Sequence, residues 1–498
     1  MTENILNYNS KMILSVDQMY QVDKEARKKG FSSWKLMENA GKAVASLAEK
    51  ILKGSHKSIL VLCGSGLNGG DGYIAAKQLL KKDFKVSVFS SLKTSELKGE
   101  VKLAFKNWSN TVYLSLDKDD LAQYDLIIDA LLGSGINREL DGSLVSIAQW
   151  CKDLDKNILS IDIPSGLNGD TGQIYGNIYF KAQNTITFFK PKIGHLLYPC
   201  KEICGKLHVA DIGIKESFLK NVNINCYENS PSLWRNKVPK RNWKKHKYNF
   251  GHAAIISGEM TGATRLSSVA CLKSGSGMVT IVTPEKFSDV FRLSNPSVMV
   301  KSYKKFQDAD DFLKDKRINA LCFGSGSFPN ALTIDNVLRI LKLKKPTVLD
   351  AGALTCFESN PKKLFSAIHK EVILTPHFGE FKKLFPDLIN LPKIEAIKKA
   401  AQLSGCVIVL KGPDTLISNQ VNDIIISSEP DAPWLATAGT GDVLVGLITS
   451  MLAQNIDCIH AAAAAVWIHS YTASKIGPGL ISSDLVDNLT NTIKFLHK

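Results

Sequence analysis

Short apolar runs of the kind that fill buried strands recur along this chain, separated by stretches with helical patterning, and after one interruption the alternation begins again. In the first half the runs are residues 57–63 (KSILVLC), 85–90 (KVSVFS), 125–132 (DLIIDALL), 157–163 (NILSIDI) and 184–189 (NTITFF). In the second they are 252–257 (HAAIIS), 278–282 (MVTIV), 320–323 (ALCF), 346–350 (PTVLD), 372–375 (VILT) and 406–411 (CVIVLK). Strands alternating with helices predict parallel sheets covered on both faces, with function at the carboxyl ends of the strands. The fold class expected is therefore α/β, a Rossmann-like doubly wound domain over residues 1–225 followed by a second α/β domain over 226–498. Between about 221 and 250 the regularity fails. Pro231, Pro239 and the basic run KRNWKKHK at 240–247 read as a linker, and the run itself as a solvated segment. It holds one tryptophan and no stacking platform, so it is not expected to bind nucleic acid.

A chain of 498 residues is too long for one ordinary core, and 44% hydrophobic against 22% charged residues is the balance of a folded protein. The formal net charge of +15 favours anionic partners without choosing among them. The first twelve residues carry no secretory pattern, and the longest apolar stretch, 461–468, is cut by His460 and His469, so no membrane span is expected. Ten cysteines scattered without framework spacing suit reduced thiols in a cytoplasm. His195, Cys200, Cys204 and His208 could supply zinc ligands, but the thiol spacing is loose and Pro199 intervenes. Buried thiols on neighbouring strands are the preferred reading.

The first site begins at VLCGSGLNGGDG, residues 61–72, a glycine-rich loop between a strand and a helix. Gly64, Gly66 and Gly69 match GxGxxG, where glycines let backbone close on a phosphate at a helix N-terminus. A dehydrogenase would add an acid at the end of the next strand to hold the ribose. That strand ends instead in Phe89, Ser90 and Ser91, with Lys93 beyond. The loop carries Asn68 and Asp71 itself, Asp129 leads into ALLGSGINREL, and Asp162 into IPSGLNGDTG. Strand ends would bring Asn68, Asp129, Asp162 and Ser165 to one crevice. Turn chemistry explains each residue singly, and the set less well.

The combination LMENAG (36–41), GSGLNGGDG (64–72), DALLGSG (129–135) and DIPSGLNGDTG (162–172) resembles the NAD(P)H-hydrate epimerase family across about the first 215 residues. The resemblance implies that hydrated NAD(P)H touches Leu67, Asn68, Gly69, Gly70 and Asp71, then Gly133, Ser134, Gly135, Ile136, Asn137, Arg138 and Glu139, and Asp162. It also implies a potassium ion held through Asn68, Asp129 and Ser165. Leu67 stands where the family usually has asparagine. Asp162 is the candidate to move a proton during inversion at the hydrated nicotinamide carbon.

The second site is ATAGTGDVLVG, residues 436–446. A glycine turn opening a helix presents free N–H groups and the positive end of the helix dipole to a phosphoryl group in flight, and Asp442 sits where a hydroxyl could lose its proton. A helix N-terminal acid also has a purely structural reading. KGPDT (411–415) could hold a nucleotide by its backbone and Lys411, TPHFGE puts His377 at a strand end, and Gly324 to Gly326 follow ALCF. No GxxxxGK[ST] occurs, which argues against a P-loop enzyme.

With GATRLS (262–267), VLDAGAL (348–354), LTPHFGE (374–380), VLKGPDT (409–415) and AGTGDVLVG (438–446) in order, residues 235–498 resemble the ADP- or ATP-dependent NAD(P)H-hydrate dehydratases, a branch of the ribokinase-like fold. By that resemblance Ala263, Gly326, His377 and Asp442 contact the hydrated cofactor. Lys411, Gly412, Pro413, Asp414, Thr415 and Gly441 hold the adenine nucleotide, with Mg²⁺ as its metal, and ADP is expected over ATP. The whole then reads as a cytoplasmic, homo-oligomeric repair enzyme for hydrated NADH and NADPH, its first domain exchanging the two epimers and its second dehydrating the S form. A vitamin or sugar kinase with an accessory Rossmann-like domain is the alternative. A nucleic-acid or partner-binding protein using the basic linker is another, and an intact Asp442 argues against it.

Overall fold

A computed structural model describes residues 11–53 and 57–497, which form two compact units: residues 12–224 in one, Lys11 with residues 225–497 in the other. The first unit is built on a seven-stranded sheet. Its strands are β1 (Ser58–Cys63), β2 (Lys85–Ser90), β3 (Val112–Tyr113), β4 (Leu126–Ala130), β5 (Ile158–Ile161), β6 (Asn184–Phe188) and β7 (Lys206–Ala210). The order is β3-β2-β1-β4-β5-β6-β7 with every neighbouring pair parallel. The chain leaves β1 in one direction and returns on its other side at β4. That reversal opens a crevice at the strand ends, because the two connections diverge to opposite faces. At its mouth β1 and β4 run in register, Cys63 opposite Ala130. A Cβ on Gly64 would lie 1.7 Å from the Leu131 carbonyl oxygen, so only glycine lets the two loops meet here.

The second unit holds a ten-stranded sheet of β8 (Cys226–Glu228), β9 (His252–Ile256), β10 (Met278–Pro284), β11 (Met299–Tyr303), β12 (Ala320–Phe323), β13 (Thr347–Leu349), β14 (Val372–Leu374), β15 (Val407–Leu410), β16 (Thr415–Ser418) and β17 (Ile424–Ser427). The order is β11-β10-β9-β12-β13-β14-β15-β16-β17-β8. It is parallel from β11 to β15, after which β16 and β17 return antiparallel as a hairpin. Here the reversal lies between β9 and β12. The α/β class expected from the alternation holds in both units.

All eleven expected strands are present within two residues of either end; six others were not expected, among them β17, although its three isoleucines are an apolar run. β7 has no fully buried residue, and β3 is two residues long. The stretch read as a linker is folded from Asn225 onward into the second unit. β8 pairs with β17, Trp234 is fully buried, and the Asn229 amide donates to the Ala463 carbonyl at 2.8 Å. Only the basic run itself matches the solvated reading, with Trp243 88% exposed.

The thiol reading needs correcting in one respect. Cys200 and Cys204 sit on a single helical turn, sulfurs 3.5 Å apart, rather than on neighbouring strands. His208 bonds Asn184, and no cluster of three His, Cys, Asp or Glu that could hold a metal occurs among the described residues. All ten cysteines are free. Among the described residues no helix is long and apolar enough to cross a membrane; the alanine-rich run lies in the helix Cys458–Ile476, buried in the second unit.

Candidate functional sites

In the first unit, the crevice between β1 and β4 continues into a cavity of ≈ 550 Å³. Its floor is the start of the helix Leu67–Leu80, one wall is the loop after β4, and the other is the helix Val16–Lys28. Asp162 is in the left-handed region at φ +65°, which turns its side chain inward from the end of β5. One carboxylate oxygen accepts from the Ser134 N–H at 2.8 Å, the other from Thr187 Oγ1 at 3.1 Å and Lys192 Nζ at 2.6 Å. Burial alone would raise the pKa of Asp162, but the Lys192 ammonium overcomes it and holds the carboxyl well below the usual range. His195 supports the turn through the Lys192 N–H and the Asp162 carbonyl, at 3.0 and 2.7 Å. Burial, reinforced by Lys192, pushes its pKa down to about 4, so its ring is neutral.

Two further carboxyls face this ion pair. Burial first, then the charges of Asp162 and Asp23, push Asp71 well above the ordinary value. Burial likewise lifts Asp23 to about 6. One cavity thus joins an ionised carboxylate to carboxyls inclined to keep their protons, a donor and acceptor arrangement for proton transfer.

Behind it, Asp129 is fully buried at the end of β4. It accepts from Ser165 Oγ at 2.7 Å, Ser165 N–H at 2.8 Å and Ser160 Oγ at 2.9 Å. Its pKa is raised by burial against these bonds, and no cationic side chain pairs with it among the described residues. Asn68 is joined to the same corner through the Ile161 carbonyl at 3.1 Å.

In the second unit, the helix Thr440–Ala453 opens on Gly439 at φ +83°, and Asp442 occupies its first turn. Asp442 is hydrogen-bonded to Ser325, from the loop after β12. Burial and the charge of Asp350 raise its pKa to about 6 against the pull of Ser325 and Lys411. Lys411 Nζ binds Asp350 at 2.8 Å and lies 3.8 Å from where a Cβ on Gly441 would stand. Thr375 also donates to Asp350, at 2.7 Å, and Glu380 lies 3.9 Å from the Lys411 ammonium. Under the turn, buried His469 contacts the Thr440 backbone. Burial takes its pKa down to about 4, so it is neutral and adds no charge to the turn. A half-buried base of raised pKa beside free helix N–H groups is the equipment for phosphoryl transfer from a nucleotide to a hydroxyl.

Residues 253–494 match the family model described as NAD(P)H-hydrate dehydratase, and residues 33–194 match that described as YjeF-related protein N-terminus. Over nearly its whole length the chain is 32% identical to the bifunctional NAD(P)H-hydrate repair enzyme Nnr of Vibrio cholerae serotype O1, covering 95% of this chain and 97% of that one. It is 31% identical to the protein of that name from Dictyoglomus turgidum, covering 91% and 92%. The chain belongs to the bifunctional NAD(P)H-hydrate repair enzymes. A solved ADP/ATP-dependent NAD(P)H-hydrate dehydratase from Bacillus subtilis, co-crystallised with ATP/Mg²⁺, superposes with a TM-score of 0.45 at 27% identity, covering 53% of this chain and 95% of that one. The full-length matches favour the repair reading over the kinase alternative.

As a repair enzyme the chain places its expected residues unevenly. Leu67, Asn68, Asp71, Gly133, Ser134, Gly135, Ile136, Arg138 and Asp162 all line the first cavity, with Leu67 54% exposed. Gly69 and Gly70 do not; they face Gly64 and Met37. Glu139 lies over Gly176. In the second unit Lys411, Gly441 and Asp442 converge, and Gly326 meets Ala263, a Cβ on it lying 3.2 Å from the alanine methyl. His377 adjoins Lys411 through an isolated parallel bridge and caps the next helix, accepting from the Gly379 and Glu380 N–H groups. Asp414 is buried against Lys393, and Thr415 closes the turn onto Gly412, so this loop offers ligands chiefly its exposed Gly412 and Pro413 backbone. Sequence reasoning missed Lys192, Asp23, Tyr20, Asp350, Glu380, Ser325 and His469. Of these, Asp350 and Ser325 carried a signal: Asp350 in VLDAGAL directly follows β13, and Ser325 in FGSGS lies two residues after β12.

Proposed function

We propose that the first unit interconverts the R and S forms of hydrated NAD(P)H, and that the second converts the S form to NAD(P)H at the expense of an adenine nucleotide. The division falls at residues 1–225 and 226–498. What most supports the dehydration step is Asp442: a carboxyl raised to about 6, at the mouth of a helix whose N–H groups are free. Asp442 takes the proton of the ring hydroxyl, whose oxygen attacks the terminal phosphorus of ADP and releases AMP. The ring nitrogen's electron pair then expels the ester as inorganic phosphate, and loss of a proton from the neighbouring ring carbon to the departing phosphate re-forms the ring double bond. The helix N-terminus stabilises the phosphoryl group in transit, and Lys411 is held ready by Asp350. Ala263, Gly326 and His377 would contact the hydrated ring, while residues 411–415 and Gly441 hold the nucleotide. Mg²⁺, when bound, neutralises phosphate charge. It would sit on the nucleotide with one or two carboxylates.

In the first unit Asp162 and Asp71 handle the proton exchanged during inversion, and Lys192 keeps Asp162 ionised. A buried Asp129 without a cationic partner, ringed by hydroxyls and close to Asn68, fits a monovalent cation, so Asn68, Asp129 and Ser165 would hold potassium. When bound, the ion supplies the charge that Asp129 lacks. Ten free cysteines support a reducing cytoplasm, and a homo-oligomer belongs to the same proposal. The test supplies the full chain with hydrated NADPH and Mg²⁺, plus ADP or ATP. Absorbance of the reduced nicotinamide should return with ADP faster than with ATP, and no recovery with either nucleotide refutes the dehydratase reading.

A further inference from the structure

The second unit contains another cavity, of ≈ 860 Å³, within the range of small-molecule sites. It lies at the carboxyl ends of β9, β10, β11 and β12, reached through Ser257, Pro284, Tyr303 and Phe323. Its charge is lopsided. Lys286, Lys304, Lys305, Lys314 and Lys342 line it, and among the described residues none of the five has an ion-pair partner. The three acids present are outnumbered: Asp310 binds Arg339 at 2.6 Å through one oxygen and leaves the other unpaired among the described residues, Glu259 accepts from the Phe328 N–H at 3.1 Å, and Asp335 also lines the cavity. Lysines converging on a concave surface focus positive potential on whatever enters. On the inner wall Ser327, 8% exposed, has a hydroxyl oxygen with no hydrogen-bond partner among the described residues. A buried hydroxyl facing a basic cavity is a group waiting for an oxygen acceptor.

Position relates this cavity to the reaction centre. Ser325, which bonds Asp442, and Ser327 are two residues apart on one loop, their Cα atoms within about 7 Å. Gly326 between them touches Ala263, and a Cβ on Gly258 would lie 2.3 Å from the Gly326 carbonyl carbon. The nucleotide loop 411–415 follows β15, three strands beyond β12 in the sheet, about 14 Å at ordinary strand spacing. A nucleotide held there leaves this basic cavity, at the ends of β9 to β12, free.

We propose that the cavity takes the phosphate-bearing adenosine end of hydrated NADPH, with the lysines on its 2′-phosphate and Ser327 donating to a phosphate oxygen. The inference rests on the dehydratase reading and adds a substrate preference to it. A 2′-phosphate is the group by which the two hydrates differ, so the lysines select between them. Lysine is suited to this as a point charge on a phosphate.

The test compares both hydrates on the full chain carrying Lys304→Ala with Lys305→Ala. KM for hydrated NADPH should rise about tenfold, the effect of losing a charge-assisted contact, while KM for hydrated NADH rises less than twofold. An equal rise for both hydrates, a rise confined to the KM for ADP, or no change overturns the proposal. Calorimetric titration with adenosine 2′,5′-bisphosphate needs no turnover. Binding that weakens about tenfold in the variant supports the cavity even if the wild-type chain restores neither hydrate, which would refute the dehydratase reading alone. Absent binding to the wild type overturns the cavity assignment. Lys304→Gln with Lys305→Gln repeats the comparison should the alanine variant fail to fold.

Discussion

Asp162 and Asp442 each stand beside a glycine turn at the end of a parallel sheet, yet their protons behave oppositely. Asp162 has the Lys192 ammonium 2.6 Å away and is held well below the carboxylate range. Asp442 has a lysine nearby too, but Lys411 gives its bond to Asp350, and Asp350's charge joins burial in lifting Asp442 to about 6. The difference lies in which carboxylate captures the cation. A captured carboxylate stays ionised and takes a proton weakly, which is why the proposed exchange assigns Asp71 as its proton-holding partner. An uncaptured one has the proton affinity a general base near neutral pH requires.

The contrast is tested most severely by Asp442→Asn, which removes the proposed base and leaves the fold's hydrogen-bonding shape. Dehydration should fall by about 10³, within the range for a lost general base, while exchange of the two epimers continues. Loss of both activities together would mean that the sites do not work separately.

Lys192→Met attacks the other side. Without its cation Asp162 is a buried carboxylate facing Asp71 and Asp23, and its pKa should climb. Epimer exchange should fall by about 10², with Lys192→Arg recovering part of it, and dehydration of the pure S form should be unchanged. Exchange at the wild-type rate in Lys192→Met would remove the ion pair from the mechanism.

Changing pH alone tests the pair with a smaller effect. A base of pKa about 6 is some nine-tenths ionised at pH 7 and one-tenth at pH 5, so the dehydration rate under saturating nucleotide should drop about tenfold across that interval. Asp162 stays ionised throughout. Any change in epimer exchange over the same range should come from Asp71 and Asp23, whose carboxyl pKa values burial raises, and Asp23→Asn should reduce it. A flat dehydration profile would place the base elsewhere.

The same contrast separates what the amino-acid sequence makes legible from what it hides. Strands and glycine turns are legible because burial writes itself as apolar runs and because close backbone approaches, such as Gly64 against Leu131, demand glycine. Asp162 and Asp442 are legible for the same reason, each lying inside a turn motif. Their partners are not. Lys192 reaches Asp162 across 30 residues and Lys411 reaches Asp350 across 61, and lysines at such distances look like any others in a chain with an excess of positive charge. The supposed linker misleads because β8 is three residues long and is fixed by pairing with β17, about 200 residues later. Edge strands of that length carry no pattern of their own.

The smallest effect concerns stability, and it separates a functional strain from a structural cap. Asp442 titrates at about 6 in the folded chain against 3.8 as its ordinary value, so the native state binds its proton more tightly than the unfolded state does. The penalty is absent below about pH 4, grows between the two values, and is complete above pH 6. Asp442→Asn should therefore raise the unfolding midpoint of the dehydratase unit by about 2–4 °C at pH 8, with roughly half of the gain gone at pH 5. If Asp442 instead served mainly as an N-terminal acid complementing the helix dipole, the same substitution would lower the midpoint at pH 8. Scanning calorimetry of the wild type and the variant at the two pH values decides it: a pH-dependent gain marks a carboxylate kept at a cost to the fold for its proton affinity, and a loss marks a cap.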